Sequence, residues 1–301
     1  MKFISTILIL IRDSISFLIY IFIKIKGIFI KLNGLRVLVY HEISKENIPT
    51  SLDKYKLIIN KNLFSRQMEF LYKHNYISLD FDSINLFLKG KKSINRNNVA
   101  LTFDDGYKGV FLYAHPIFKK FDFKGCVFIT VDFIDRKIEC SQFCGISYGL
   151  KPLSWQEINI LVDGHNFTVG SHSLTHCNFN EISKNEDVLS RELYESKMRI
   201  EKEIHDKVEA FSYPYGIISN FLLNCNKELR SAGYEMAFTN KSGLNKKGDS
   251  FYSIKRTRIY SDDNMFRFRM KLAGAYDWID YIPINMRRIY RKRILKNVKG
   301  I

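Results

Sequence analysis

From Leu35 onward, short apolar runs of strand length alternate with amphipathic runs of helix length, and this alternation restricts the chain more than any other feature. "LRVLVYH", "YISLDF", "NNVALTF", "GCVFIT", "HNFTVGSH", "VEAFSYP" and "YEMAFT" read as strands, because branched and aromatic residues suit a buried pleated surface. Between them, "NLFSRQMEFLYKHN" sets Leu63, Phe64, Met68, Phe70 and Leu71 at helical spacing. "KGVFLYAHPIFKKF", "SWQEINILVDG", "EDVLSRELYESKMRIEKEIH" and "SNFLLNCNKELRSAG" also read as helices, with Ser154 as an N-cap. Strands separated by helices pair in parallel, since the crossover back to the sheet takes a helix. At least six such pairs predict an α/β barrel or barrel-like sheet over 35–280, divided by no repeat or low-complexity linker. In such folds chemistry collects at the C-terminal ends of the strands. His41, the Asp104 and Asp105 pair, His172 and the "YPYG" turn all fall at such ends.

Two of these ends carry metal-site chemistry. "LTFDDGY" sets Asp104 and Asp105 side by side where a strand stops at a glycine turn. Adjacent carboxylates divide naturally, one binding a cation and the other free to take a proton from water activated there. "GSHSLTH" spaces His172 and His176 by four residues, which suits one helical turn presenting both imidazoles to one metal. Two histidines and one carboxylate leave coordination positions open, the form of a catalytic rather than a structural zinc site.

"VALTFDDGY", "GSHSLTH" and "FSYPYG", in that order, resemble the polysaccharide deacetylases of carbohydrate esterase family 4, with the similarity running from about Val37 to Trp278. The resemblance implies a deformed (β/α) barrel that hydrolyses the N-acetyl group of an amino sugar. It implies Asp104 as general base, and Asp105, His172 and His176 as ligands of a divalent metal, usually Zn2+, with Co2+, Ni2+ or Fe2+ as alternatives. It further implies that the residue after the motif proline Pro214, here Tyr215, donates its backbone N–H to the oxyanion.

Two departures from the family pattern stand out. Ser212 occupies the place of an arginine two residues before the motif proline, so tuning of the base has to come from elsewhere, with Arg256 and Arg258 of "KRTRIY" as candidates. No histidine follows His205, so the usual late general acid is vacant. His41 in "VLVYHEI" precedes the metal motif, as in the permuted poly-N-acetylglucosamine deacetylase branch, and is the expected replacement; the other reading is a core histidine at a strand end. Asp277 and Trp278 either close the barrel or line a sugar groove, and a packed tryptophan is the equal alternative.

The N-terminal segment 1–31 reads as a membrane-associating helix. Lys2, Ser5, Thr6, Arg12, Asp13, Ser16, Tyr20, Lys24 and Lys31 fall on one broad face, and Ile, Leu and Phe fill most of the other. That pattern fits a helix lying in the interface, its polar face at phosphate level, with a tilted span as the alternative. The basic segment 286–301 is a second membrane contact or a solvated tail. The net charge of +16, with no nucleic-acid-binding signature, points to an anionic membrane rather than to nucleic acid. Five cysteines without a CxxC pair read as reduced thiols, which favours the cytoplasmic face, although a bridge between Cys140 and Cys144 is compatible with the spacing.

The expected activity is metal-dependent removal of N-acetyl groups from a surface polysaccharide or its lipid-linked precursor. Two alternatives stand beside it: an O-acetyl esterase using the same machinery, and a non-catalytic glycan-binding protein of the same fold, prompted by Ser212 and the missing late histidine.

Overall fold

The computed structural model describes residues 2–29, 34–49, 51–53, 55–143, 149–182, 184–216 and 222–282. Its strands are β1 (Arg36–Tyr40), β2 (Glu42–Ser44), β3 (Ile58–Asn60), β4 (Ile77–Ser78), β5 (Asn98–Phe103), β6 (Gly125–Ile129), β7 (Phe167–Ser171), β8 (Ala210–Ser212), β9 (Met236–Phe238) and β10 (Thr257–Arg258). The α-helices are α1 (Lys2–Phe29), α2 (Lys61–Lys73), α3 (Phe81–Leu88), α4 (His115–Phe121), α5 (Val131–Ile134), α6 (Cys140–Phe143), α7 (Trp155–Asp163), α8 (Phe179–Ile182), α9 (Glu186–Ile204), α10 (Leu222–Ser231) and α11 (Met265–Ala273). A π-helical turn, Val110–Ala114, leads into α4.

Eight of the described strands form one parallel sheet in the order β10-β1-β5-β6-β7-β8-β9, with β4 also paired to β5, and this sheet curves into an α/β half-barrel, while β2 and β3 pair with each other in a separate parallel sheet. Every residue of β1, β5 and β6 is buried, as a sheet covered on its faces demands. Segment 254–258 hydrogen-bonds at both ends of the sheet: Thr239 N–H donates to the Ile254 carbonyl at 2.8 Å, and Leu38 pairs with Thr257. Tyr40, Phe64, Phe103, Phe118 and Phe167 stack and tilt against one another in the largest core cluster. Register places the strand ends together. Tyr40 lies opposite Phe103, so His41 and Asp104 emerge side by side.

The expected helix over "SWQEINILVDG" is α7, opened by a reciprocal capping box between Ser154 and Glu157. "YISLDF" departs from expectation. Only Ile77–Ser78 pairs as a strand, because the Asp80 carboxylate accepts the Ser83 N–H at 2.9 Å and starts α3.

The N-terminal helix also departs. Among the described residues no helix is long and apolar enough to cross a membrane. Part of the stripe expected at phosphate level instead docks on the domain. Asp13 accepts from Arg267 (Nη2, 2.7 Å) and from the Tyr276 hydroxyl (2.9 Å), while Trp278 Nε1–H donates to Ser16 Oγ at 3.0 Å. Ile19, Tyr20 and Ile23 pack against Met270, Ala275 and Tyr276. Trp278 therefore ties down this helix rather than lining a sugar groove, and Asp277 pairs with Arg36 at 2.8 Å on β1. The Cys140–Cys144 pairing and segment 286–301 involve residues outside the described ones.

Candidate metal and catalytic site

β5 delivers the two carboxylates in different directions. Asp104 stays close to the strand, its N–H donating to the Tyr40 carbonyl at 3.0 Å. Asp105 turns into the left-handed region at φ 73°, followed by Gly106 at φ 85°, which sends the second carboxylate toward the end of β7. Further along this loop only glycine fits at position 109, because a Cβ there would lie 2.0 Å from the Ile43 backbone carbonyl oxygen. Left-handed backbone also occurs at Ser173 (φ 71°), His176 (φ 61°) and Tyr215 (φ 59°). Strained backbone of this kind gathers where surrounding structure over-determines the geometry of a functional site.

The two histidines do not share a helical turn, contrary to the expectation from their spacing. Segment 172–178 is a bend, because local side-chain hydrogen bonds compete with helix formation. Ser173 Oγ accepts the His176 N–H at 2.9 Å, and Ser171 Oγ accepts the Ser173 N–H at 3.1 Å. The outer clamp is Glu192 on α9, a residue that the sequence did not single out. Its buried carboxylate accepts the backbone N–H groups of Leu174 and Thr175, each at 3.0 Å, and the Thr175 hydroxyl at 2.7 Å.

This bend brings three ligand atoms together. Asp105 Oδ1 lies 3.3 Å from His172 Nε2 and 3.2 Å from His176 Nε2, and all three residues are buried. Bonds of ~2.0–2.2 Å at a tetrahedral angle place two ligand atoms ~3.3 Å apart, so the spacing fits zinc-like coordination. Asp105 Oδ1 has no hydrogen-bond partner among the described residues, as suits an atom reserved for a cation. His172 Nδ1–H donates to the Ser212 carbonyl at 2.7 Å, which leaves its Nε2 lone pair facing the cluster. Burial raises the proton affinity of Asp105, but the two imidazoles reverse this and hold its carboxyl well below 3.8.

Asp104 is the partner of Arg256. Nη1 reaches Oδ1 and Nη2 reaches Oδ2, both at 2.7 Å, with the two side chains 0% and 1% exposed. Arg256 is itself fixed by the Thr239 carbonyl (2.9 Å), Asn240 Oδ1 (3.0 Å) and Ser212 Oγ (2.8 Å). Ser212 Oγ also stands 3.3 Å from Asp104 Oδ2, within the same network. Burial pushes the Asp104 pKa up, Arg256 and His172 push it down, and the net result lies below 3.8. Arg258 plays a different part: its guanidinium stands 5.8 Å from the Tyr260 ring centroid and weakens proton binding at His41.

His41 is buried at the end of β1 and its Nδ1 has no hydrogen-bond partner among the described residues. Burial depresses its pKa to about 4, against the opposing pull of Asp105 and Asp104. The resting imidazole is therefore neutral at pH 7. On the other side, the Gly216 N–H bonds to the Tyr213 carbonyl at 3.0 Å, closing a turn with Pro214 and Tyr215 at its centre. Proline first and a positive φ second define a type II turn, whose middle peptide is flipped relative to type I. The Tyr215 ring lies edge-on to His176 at 4.7 Å and is 51% exposed.

The half-barrel of parallel strands thus gathers an Asp-His-His cluster and an arginine-held aspartate at its strand ends. Residues 91–237 match the family model for polysaccharide deacetylase. A Bacillus subtilis (strain 168) protein assigned to the polysaccharide deacetylases, YxkH, is 26% identical over 225 residues, covering 75% of this chain and 71% of that protein. The poly-β-1,6-N-acetyl-D-glucosamine N-deacetylase of Escherichia coli (strain K12) is 22% identical over 275 residues, covering 81% of this chain but only 39% of that enzyme. The Streptococcus pyogenes deacetylase PplD, solved in complex with acetate, superposes with a TM-score of 0.67 at 20% identity over 79% of this chain and 98% of that one. The chain carries a polysaccharide deacetylase domain, with poly-β-1,6-N-acetylglucosamine deacetylases among its homologues.

Proposed function

We propose that the chain is a metal-dependent hydrolase that removes N-acetyl groups from an amino sugar of a surface polysaccharide or of its lipid-linked precursor. The observation that carries this reading is the convergence of Asp105 Oδ1 on both histidine Nε2 atoms, 3.3 and 3.2 Å away, beside an Asp104 committed to Arg256. Asp105, His172 and His176 would hold the cation, with zinc the best match to two imidazoles and one carboxylate. When bound, a divalent cation supplies Lewis acidity toward the amide carbonyl and makes nearby water a stronger acid.

Asp104 takes the proton from the attacking water. Arg256 keeps this carboxylate ionised at neutral pH and fixes both of its oxygens, so the base is aimed before substrate arrives. The Tyr215 N–H, set by the type II turn, is the donor assigned to the developing oxyanion. Cleavage of the C–N bond releases acetate and an amine, and the amine nitrogen needs a proton as it leaves. His41 is assigned that delivery. Being neutral at rest, it first takes up the proton that Asp104 removed from water and then passes it to the amine nitrogen, which returns Asp104 and His41 to their starting states. The exposed Tyr215 ring offers a face for a sugar.

Incubation of the zinc-loaded chain with N-acetylated β-1,6-glucosamine oligosaccharides tests the reading. Acetate and new primary amines in equal amounts are expected. Acetate without amine from an O-acetylated glycan would select the esterase reading, and release of neither would overturn hydrolysis.

A further inference from the structure

The two faces of the N-terminal helix have different tasks. Its polar stripe is used by the domain, through Asp13 with Arg267 and Tyr276 and through the buried Ser16 with Trp278. The opposite stripe is apolar and turned outward. Ile7, Ile11, Ile15, Leu18, Ile21 and Ile25 follow one another at three- and four-residue steps, with Leu18 69% and Ile25 55% exposed. At 1.5 Å per residue this stripe is ~27 Å long.

A second feature lies beside it. α11 packs against α1 on one flank and α2 on the other. Between α2 and α11 runs a groove of about 240 Å³ lined by Arg66, Lys73 and Arg269, with Glu69 as its one carboxylate. Glu69 pairs with Lys73 at 2.7 Å. Arg66 and Arg269 are exposed, and neither forms an ion pair among the described residues. α11 therefore lies between α1 and a groove in which Arg66 and Arg269 carry uncompensated charge.

We infer that α1 and the Arg66–Arg269 groove form one platform that seats the domain on an anionic phospholipid bilayer, with α1 lying in the plane of the interface. The apolar stripe enters the acyl boundary, and the groove cations meet lipid phosphates. The polar stripe turns inward, so the domain is clamped to the embedded helix rather than tethered by it. Charge selects this occupant over a second copy of the chain, since each copy carries a net +16 and would bring another cationic groove against the first. The inference is independent of the chemistry proposed above.

Flotation of the full chain with vesicles of phosphatidylcholine alone, or mixed with phosphatidylglycerol, tests it. Binding to the anionic vesicles is expected, with at least a tenfold loss in Leu18→Glu/Ile25→Glu and a salt-dependent loss in Arg66→Glu/Arg269→Glu. Unfolding temperature and hydrolysis of a soluble substrate should stay unchanged in both variants, so failure here and failure of the deacetylase reading are distinguishable. Equal vesicle binding by the wild type and the Leu18→Glu/Ile25→Glu variant would overturn the inference. A dimer in light scattering that the same substitutions dissociate would overturn it in favour of self-association.

Discussion

Arg256 grips both carboxylate oxygens of Asp104 at 2.7 Å, although 152 residues separate the two in sequence. Both side chains are buried, so their attraction is little screened by water or salt. Losing one partner would leave an uncompensated buried charge, which typically costs ~3–5 kcal/mol. The milder Arg256→Lys keeps the charge and gives up the fork. Arg256 lowers the Asp104 pKa, so weakening it raises that pKa and protonates the base at higher pH. The acid limb of the kcat/KM profile should move upward by roughly one pH unit, the equivalent of ~1.4 kcal/mol. An unmoved limb in Arg256→Lys would separate Arg256 from the base.

His41→Ala should slow hydrolysis of an N-acetyl amide by ~10²–10⁴-fold, the usual contribution of a positioned acid or base. A nitrophenyl acetate ester has a leaving group that departs unprotonated and should lose far less. Parallel kcat measurements on both substrates check this, and equal losses would assign His41 to packing.

Glu192→Gln should weaken zinc binding by ~10–100-fold, the range for outer groups that orient metal ligands. An amide presents only one acceptor oxygen to a loop that now offers two backbone N–H groups and a hydroxyl to a carboxylate. Competition with a zinc chelator reads this directly, beside Asp104→Asn, which should bind zinc as the wild type does while losing turnover. A fall in unfolding temperature without any change in zinc affinity would make Glu192 purely structural.

Glu42 makes stability depend on pH. Burial raises its pKa from 4.5 to about 8 in the folded chain. The folded state therefore holds a proton that the unfolded state releases. Stability from this group is present in full below pH 4.5, declines as pH rises and is lost above about pH 8. Urea unfolding at pH 5 and pH 8 should show a loss of a few kcal/mol at the higher pH, much reduced in Glu42→Gln.

The strand ends are legible because apolar runs and turn residues are local signals, and so the positions of His41, Asp104, Asp105 and His172 at strand ends follow from the sequence alone. What escaped depends on distant contacts. "KRTRIY" offers two arginines, and only the register of β10 on β1, with the Thr239–Asn240 carbonyls, turns Arg256 toward Asp104 and leaves Arg258 near Tyr260. The four-residue spacing of His172 and His176 suggested a helical turn, but Ser173 and Glu192 impose a bend, and Glu192 arrives from a helix with no sequence mark of its task. Asp13 looked like a charge in an apolar segment. Its partners Arg267 and Tyr276 lie some 250 residues away, and only folding reveals the docked stripe. Asp80, by contrast, was a readable N-cap, and α3 could have been found from it.

Calorimetric titration of the metal-free full chain with zinc tests the central claim most directly. One equivalent should bind, and Asp105→Ala or His172→Ala should abolish it. No binding, or binding that survives the loss of Asp105, would contradict the cation site on which the mechanism depends.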